Sequence, residues 1–273
     1  MLEQLTYKNH VNETIVFGKD KIFVNTNELH NYSWNVGSQN NKISSFSKKI
    51  TTFNIPVVIA CKSEKEAIAI KNRLFEVCEK DVLAKEYGTI TIGDYYLKCY
   101  IAESKKNVYL KSKNSMELTL KVVTDSPYWI KETQTTFNYG QGAQGTDLDY
   151  NNDFPYDYTS NILGMELNNP GFVEVNFRMR IYGACENPKV TIAGHDYEVL
   201  TELLANEYII IDSINKTVQK ISANGTISNL FNLRNKESYI FQKIPVGRNS
   251  VSNNGNFKFD VTLLEERGEP KWI

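Results

Sequence analysis

The sequence predicts a mainly β protein of two domains: an N-terminal β-sandwich-like domain that contains one α-helix, and a C-terminal β-sandwich or jelly roll. The chain has 273 residues, and at roughly 100 to 200 residues per domain this length suits two domains better than one. Short strand-like segments bounded by Gly and Asn fill most of the chain, whereas one segment alone has the helical period. We place the domains at residues 1–135 and 162–273, joined by a connector or arm at 136–161.

The N-terminal region, residues 1–62, is predicted to form sheet. Its apolar segments are short, and residues that favour turns separate them, among them Gly18, Asp20 and the pair Gly37-Ser38. The strand-like segments are TIVFG, KIFVN, LHNYSWNVG and KKITTFNIPVVIAC.

One helix is predicted between residues 63 and 88. Apolar residues recur at helical spacing along SEKEAIAIKNRLFEVCEKDVLAKEYG, with charged residues between them. Ser63 and Glu66 have the spacing of a capping box, in which each side chain accepts a hydrogen bond from a backbone N–H of the first turn. Gly88 is in a position to end the helix.

Two strand-like segments follow the helix. The first, TITIGDYYLKCYIAE, contains Gly93-Asp94, which indicates a tight hairpin turn. In the second, SMELTLKVVTDSPYW, apolar and polar residues alternate, as in an antiparallel sheet with one buried face. The apolar positions are Met116, Leu118, Leu120 and Val122.

The second segment ends in TDSPYW, residues 124–129. Pro127 lacks the N–H that a continuing strand would need, so the strand must end there or lie at an edge. We expect Tyr128 and Trp129 to fold back over the end of the sheet, which would make this stop a domain boundary. The Gly-rich stretch beyond Trp129 has few aliphatic residues and is interpreted as connector.

The C-terminal region repeats the strand signal at intervals of roughly 8 to 12 residues, as in sandwiches and jelly rolls. Its longest alternation is FVEVNFRMRIYG, where Val173, Val175, Phe177, Met179 and Ile181 face one way. Further predicted strands are PKVTIAG, HDYEVL, EYIIIDS, TVQKIS, SYIFQKI and NFKFDVTLLEE.

Composition excludes several classes of partner. Lys and Arg number 31 and Asp and Glu 32, for a net charge of -1, so nothing global favours nucleic acid or an anionic membrane. The sequence has no cationic segment leading into an apolar run and no run of about 18 apolar residues, so we expect neither an export signal nor a membrane span. The four cysteines lack CxxC spacing and are predicted to be reduced thiols in or near the core. They are Cys61, Cys78, Cys99 and Cys185.

Local motifs indicate no metal, cofactor or catalytic site. In GTDLDYNNDFPYDY, four oxygen-bearing side chains alternate as in a calcium loop, but Asn152 and Tyr158 stand where an EF-hand needs Gly and Glu. The four are Asp147, Asp149, Asn151 and Asp153. The three histidines, His10, His30 and His195, are scattered and are interpreted as surface or edge-strand residues. The chain also lacks GxSxG, GxxxxGK[ST] and a GxGxxG that opens a helix, so we expect no enzyme.

Five aromatic residues lie in the Gly-rich connector, where no strand core accounts for them. They are Tyr139, Tyr150, Phe154, Tyr156 and Tyr158. Aromatic side chains bury a large area for a small loss of conformational entropy, so this set is a candidate anchor for another protein.

The order of these segments resembles the distal tail protein (Dit) family of long-tailed siphophages over nearly the whole chain. GTITIGDYYLKCYI looks like the family's hairpin after the helix, and ELTLKVVTDSPYW looks like the strand and Pro-Tyr-Trp stop that close its N-terminal domain. NPKVTIAG, EYIIIDSINKTVQKI and IPVGRNSV look like its galectin-like C-terminal sandwich.

The resemblance implies a structural virion protein that forms a hexameric ring at the distal end of the tail and is assembled in the bacterial host cytoplasm. The implied partners are other copies of the chain, the tail tube protein, a tail-tip protein or tail-associated lysin, and a receptor-binding protein. Genomic DNA would pass through the ring without specific binding. No membrane partner, cofactor, metal or catalytic residue is implied.

Two alternatives from other functional classes remain open at this point. The C-terminal sandwich could be a carbohydrate-binding module that recognises host cell-wall glycan, given the galectin-like pattern. A glycosidase is the other alternative, because paired acids can be assembled from almost any Asp and Glu in a sandwich and therefore discriminate little.

Overall fold

The structure is a computed structural model that describes residues 4–24, 26–108, 115–138 and 165–271. Contacts divide the chain into two compact units: Met1–Lys131 with Glu266–Ile273, and Glu132–Glu265. Both units are built mainly of antiparallel strands, and the described residues contain one α-helix. The predicted mainly β fold with one helix is therefore confirmed. No helix in these residues is long and apolar enough to cross a membrane.

The first unit contains one helix and ten strands in order, and the last strand crosses the boundary of the unit at Lys131. The segments are β1 Leu5–Lys8, β2 Thr14–Val16, β3 Ile22–Val24, β4 Asn35–Gln39, β5 Lys42–Ser47, β6 Thr51–Ala60, α1 Glu64–Ala84, β7 Gly88–Ile92, β8 Tyr95–Val108, β9 Ser115–Thr124 and β10 Trp129–Phe137.

The core of this unit lies between the sheet and the inner face of α1. Strand β9 pairs antiparallel with β6 along its whole length, from Thr51↔Thr124 to Ala60↔Ser115, and β8 pairs with both β9 and β7. Alternate residues of β9 are buried, as the period of two requires for a sheet covered on one face. Leu74 and Val77 of α1 complete the core.

The second unit is a sandwich of two antiparallel sheets. Its elements are β11 Met165–Asn169, β12 Asn176–Tyr182, β13 Cys185–Glu186, β14 Lys189–Ile192, β15 His195–Glu198, β16 Glu202–Leu203, β17 Tyr208–Asp212, β18 Thr217–Ile221, β19 Ile227–Asn229, a 3-10 turn at Phe231–Leu233, β20 Gly247–Asn253 and β21 Phe259–Arg267. One sheet has the order β19-β18-β17-β12-β21 and the other has β11-β20-β14-β15. Phe177 and Tyr197 from the two sheets meet edge to face in the core, with ring centroids 5.1 Å apart.

The helix begins as predicted but ends differently. The Ser63 hydroxyl accepts a hydrogen bond from the Glu66 N–H, which is one half of the predicted capping box. The Glu66 carboxylate instead accepts from the Lys62 N–H and pairs with Lys21. Lys85, with φ 57°, is the left-handed residue that ends the helix, so the prediction that Gly88 ends it is wrong.

Two predicted strands differ from the described structure. In LHNYSWNVG only residues 35–37 lie in a strand, β4, whereas residues 29–30 form a turn and residues 31–34 are irregular. The Asn31 N–H donates to the Glu28 carbonyl in this turn. SYIFQKI is not a strand: Ile240 and Phe241 are buried in a turn, in which the Gln242 N–H donates to the Tyr239 carbonyl. At the start of FVEVNFRMRIYG, Val173 is exposed and only the residues from Val175 onward keep the predicted alternation.

The predicted stop at TDSPYW is a short connection between two strands. Strand β9 ends at Thr124 and β10 begins at Trp129. Trp129 is fully buried in the core of the first unit, and β10 includes residues 136 and 137 of the predicted connector. The folding of Tyr128 and Trp129 over the end of the sheet stays a prediction. Pro127 occupies the connection, where no ladder hydrogen bond is needed. The predicted limits 1–135, 136–161 and 162–273 stay a prediction.

Candidate assembly surface

The hairpin formed by β4 and β5, residues 35–47, exposes apolar side chains. In the described part of the chain these two strands pair only with each other, and every residue of β5 is exposed. The large apolar side chains exposed on the hairpin and its flanks are Tyr32, Trp34, Val36, Ile43, Phe46 and Ile50. Exposed apolar side chains gathered on one hairpin indicate an interaction site, because removing apolar area from water is favourable.

The turn of the hairpin is the part of it that the sequence signals. Asn40 and Asn41 connect the strands with φ 49° and φ 58°, and two positive φ values suit the tight primed turn that joins twisted antiparallel strands. Asparagine tolerates this left-handed region better than most residues. The Asn-Asn pair is the signal from which the hairpin, and with it the exposed surface, can be read in the sequence.

Lys48 fixes the base of the hairpin. Its ammonium lies 4.9 Å from the ring centroid of Trp34 and 5.3 Å from that of Tyr128, within the range of cation–π attraction. Burial lowers the pKa of Lys48, because the charged form loses hydration. Trp34, which precedes β4, and Tyr128, in the β9–β10 connection, therefore both contact Lys48, which follows β5.

One side of α1 forms a groove against β8 and β9. The groove contains a cavity of about 130 Å³. Its apolar walls include Leu74, Phe75, Val82, Ile101 and Leu120. Glu79 and Glu103 also line it, and no Lys or Arg belongs to the lining among the described residues.

A buried carboxylate holds the C-terminal end of α1 in place. Asp81 is fully buried, and its Oδ2 accepts a hydrogen bond from the hydroxyl of Tyr7. The backbone N–H of His10 donates to Asp81 Oδ1 over 2.9 Å, and His10 Nδ1 lies 2.5 Å from the same oxygen. Burial, followed by the bond to Asp81, raises the pKa of Tyr7 above its usual range.

Gly88 belongs to this buried cluster. A Cβ at Gly88 would overlap Asp81 Oδ2 and the Tyr7 hydroxyl. The glycine therefore permits the close approach of β7 to the helix end, which is a packing role and not the helix stop expected from the sequence.

The histidines and cysteines are part of the packing. His10 bonds to Asp81 as described, and His195 Nε2 lies 2.9 Å from the carbonyl oxygen of Tyr239. All four cysteines are free thiols, with Cys78 and Cys99 buried and the other two partly buried, as predicted. No group of three metal-ligating side chains occurs within residues 4–24, 26–108, 115–138 and 165–271.

Two sequence candidates lie outside the described residues. One is the aromatic set of Tyr139, Tyr150, Phe154, Tyr156 and Tyr158. The other is the calcium-loop-like set of Asp147, Asp149, Asn151 and Asp153.

The outer face of the β12–β21 sheet carries polar side chains that bond one another. Asp260 is buried, and its two carboxylate oxygens accept from Thr136 over 2.8 Å and from Tyr182 over 2.7 Å. The guanidinium of Arg180 lies 5.1 Å from the ring centroid of Tyr208. These groups use much of their hydrogen-bonding capacity within the fold. The alternative that this sandwich binds glycan stays a prediction.

Comparison with known proteins identifies the fold. No protein-family model matches the sequence, and no curated protein matches it. Among solved structures, a chain of the phage p2 baseplate in its activated conformation with calcium aligns with a TM-score of 0.64 and 15% identity, over 99% of this chain and 100% of that chain. The p2 baseplate with strontium gives the same values.

The Dit protein of phage SPP1, described as a paradigm of the hub of adsorption apparatus in phages that infect Gram-positive bacteria, aligns with a TM-score of 0.63 and 9% identity. The match covers 98% of this chain and 100% of that protein. The resemblance drawn from the sequence is thus confirmed at the level of the fold. This chain has, over nearly its whole length, the fold of the SPP1 Dit protein and of a chain of the p2 baseplate.

Proposed function

We propose that this protein is a structural component of a phage tail. Six copies of the chain form a ring at the distal end of the tail, and this ring joins the tail tube to the tail tip or baseplate. The observation that carries the proposal is the fold match over 98% of this chain and the whole of the SPP1 Dit hub protein. Because the match extends over both units, it is not limited to one common sandwich.

The exposed hairpin and the α1 groove support an assembly role. An apolar hairpin with every β5 residue exposed has no evident use in an isolated chain, whereas in a ring another subunit covers it. A hub of this kind needs no catalytic residue, cofactor or metal.

The proposed partners follow from the position in the tail. They are further copies of this chain, the tail tube protein on one side, and a tail-tip protein or tail-associated lysin on the other, with a receptor-binding protein attached farther out. The proposed location is the distal tail of the virion, after assembly in the host cytoplasm. A net charge of -1 suits a ring through which DNA passes without specific binding.

Labelling of intact particles tests the proposal. Antibodies raised against the purified protein and coupled to gold are applied to tailed particles that contain it, and electron microscopy locates the gold. We expect labelling at the end of the tail opposite the capsid and six copies per tail by quantitative mass spectrometry. Labelling along the tail shaft or on the capsid, or a copy number that is not a multiple of six, would overturn the proposal.

A further inference from the structure

We infer that the hairpin of one copy of this chain binds the α1 groove of the next copy, with Phe46 seated in the groove's cavity. The inference rests on the proposed function, since the ring requires contacts between copies, and it specifies which surfaces form them. Both surfaces belong to the first unit, and each includes apolar side chains that are exposed among the described residues.

The two surfaces match in apolar character. On the hairpin, Phe46 is 60% exposed and Ile43 is 64% exposed. On the helix, Phe75 is 51% exposed and Val82 is 41% exposed at the groove wall. Covering these side chains removes apolar area from water, which is the main driving force of association.

The cavity has the size of one aromatic ring. Its volume is about 130 Å³, and an apolar cavity of about 150 Å³ in another protein holds benzene. A phenylalanine ring therefore fits, with its Cβ at the mouth. Buried aromatic anchors in pockets of this kind contribute most of the binding energy at protein interfaces.

The charges around the two surfaces are opposite. Residues 29–62 contain Lys42, Lys48, Lys49 and Lys62 and no Asp or Glu, whereas Glu79 and Glu103 line the groove. Lys121 lies 3.8 Å from Glu103 with both side chains about half exposed, and Lys71 lies 5.9 Å from the ring centroid of Phe75. The rim thus carries positive charge outside the lining, whereas the two charged residues of the lining are glutamates and the charged residues of the hairpin and its flanks are lysines.

The groove favours Phe46 over the other prominent phenylalanine. Phe172 is 94% exposed, but the charged residue nearest to it in sequence is Glu174. This carboxylate would face the glutamates of the groove and disfavour the contact.

A contact between two different surfaces has a consequence for assembly. Each copy offers one hairpin and one groove, so copies join head to tail, and such contacts generate a ring when the rotation closes. A contact of hairpin with hairpin would instead stop at a dimer.

Two variants of the full chain, each damaged on one surface, test the pairing. Phe46→Asp removes the aromatic side chain of the hairpin and leaves the groove intact. Ala102→Trp fills the groove from an exposed position in its lining and leaves the hairpin intact. Phe172→Asp is the matched control, and Phe46→Leu tests rescue by an apolar side chain. Circular dichroism checks that each variant is folded, and light scattering after size exclusion, with native mass spectrometry, measures the mass.

We expect the unmodified chain and Phe172→Asp to form the same oligomer. Phe46→Asp and Ala102→Trp should each be monomeric, with the dissociation constant raised on the order of tenfold or more, and Phe46→Leu should restore assembly. A mixture of the two monomeric variants should form heterodimers and nothing larger, because one intact hairpin meets one intact groove.

Three results would overturn the inference. If both variants assemble like the unmodified chain, or if Phe172→Asp is the one that blocks assembly, the named surfaces are wrong while the hub function stands on the labelling result. If the mixture yields only dimers of Ala102→Trp with itself, the hairpins pair with each other. If the unmodified chain is monomeric at its solubility limit, the pairing fails, and particle labelling separately decides the function.

Discussion

The hydroxyl of Tyr7 donates a hydrogen bond to the carboxylate of Asp81, and both side chains are fully buried. This bond joins the first strand to the last turn of the helix, 74 residues later in the chain. The helix in turn forms one wall of the groove, so the buried pair positions the candidate assembly surface.

Removal of the Tyr7 hydroxyl should therefore destabilise the protein. In Tyr7→Phe the buried Asp81 carboxylate loses a donor, and the expected cost is about 1–3 kcal/mol in the free energy of unfolding, measured by urea titration. The matched control is Tyr87→Phe, which removes a hydroxyl that bonds to Asp125 at the surface over 2.5 Å. The control should change stability by no more than about 0.5 kcal/mol. Equal effects at the two positions would contradict the role of burial.

Substitution of Gly88 tests the close packing around the same pair. Gly88→Ala places a methyl group against Asp81 Oδ2 and the Tyr7 hydroxyl, and overpacking of this kind costs about 1–3 kcal/mol. In an Asp81→Ala background the cost of Gly88→Ala should be smaller, because one of the two overlapping groups is gone. Additive effects in the double variant would show that the glycine serves another purpose.

The stability of the second unit should depend on pH through Glu207. The side-chain bond with Lys220, 2.6 Å long, and the Leu204 N–H lower the pKa of Glu207. Since the folded pKa is depressed, the stabilisation is present above the unfolded pKa, about 4.3, and is lost as pH falls through the folded value. The stability difference between the unmodified chain and Glu207→Gln should therefore shrink as pH falls below about 4.3, as followed by denaturant titration at several pH values. A difference that is constant from neutral to acidic pH would contradict this coupling.

Lys48 should control the order of the hairpin. Lys48→Gln removes the cation that lies over Trp34 and Tyr128, so backbone amides of β4 and β5 should exchange hydrogen faster. Lys48→Arg keeps a cation and should keep most of the protection. Lys42→Gln, at the far end of the hairpin, is the control for charge alone. Faster exchange in Lys42→Gln as well would mean that net charge, and not the aromatic contact, sets the order.

Thiol labelling should separate the four cysteines into two classes. Burial raises the pKa of Cys78 to about 12 and also raises the pKa of Cys99, and the thiolate is the reactive form. Cys61 and Cys185 are partly exposed, so an aromatic disulfide reagent should label them in the folded protein. Cys78 and Cys99 should react only after unfolding. Reaction of all four at one rate would contradict the buried positions.

The sequence predicted the elements whose pattern is local. The period of two in β9 and the helical period of α1 both come from residues that face one core, and Gly93-Asp94 correctly indicated a hairpin turn. What could not be predicted depends on distant partners. Ile240 and Phe241 look like strand residues because they are apolar, yet they are buried in a loop.

The candidate assembly surface was the hardest part to predict. The cavity in the groove is formed by α1, β8 and β9, so no contiguous motif encodes it. Phe46 has neighbours such as Ser44, Ser45 and Ser47, which give β5 neither an apolar alternation nor a clear strand signal. The position of Gly88 in the sequence predicts a helix stop. The glycine is instead required by the Tyr7–Asp81 pair, and these two residues come from separate elements, so no local pattern reveals them.

The complete exposure of β5 has an evolutionary consequence. Substitutions in Lys42–Ser47 cost the isolated fold little, so selection for stability alone would let these six positions drift freely. Selection for assembly would instead keep position 46 aromatic and make its size vary together with the residues around the cavity. The pattern of variation among natural relatives at these positions therefore indicates whether the hairpin takes part in assembly.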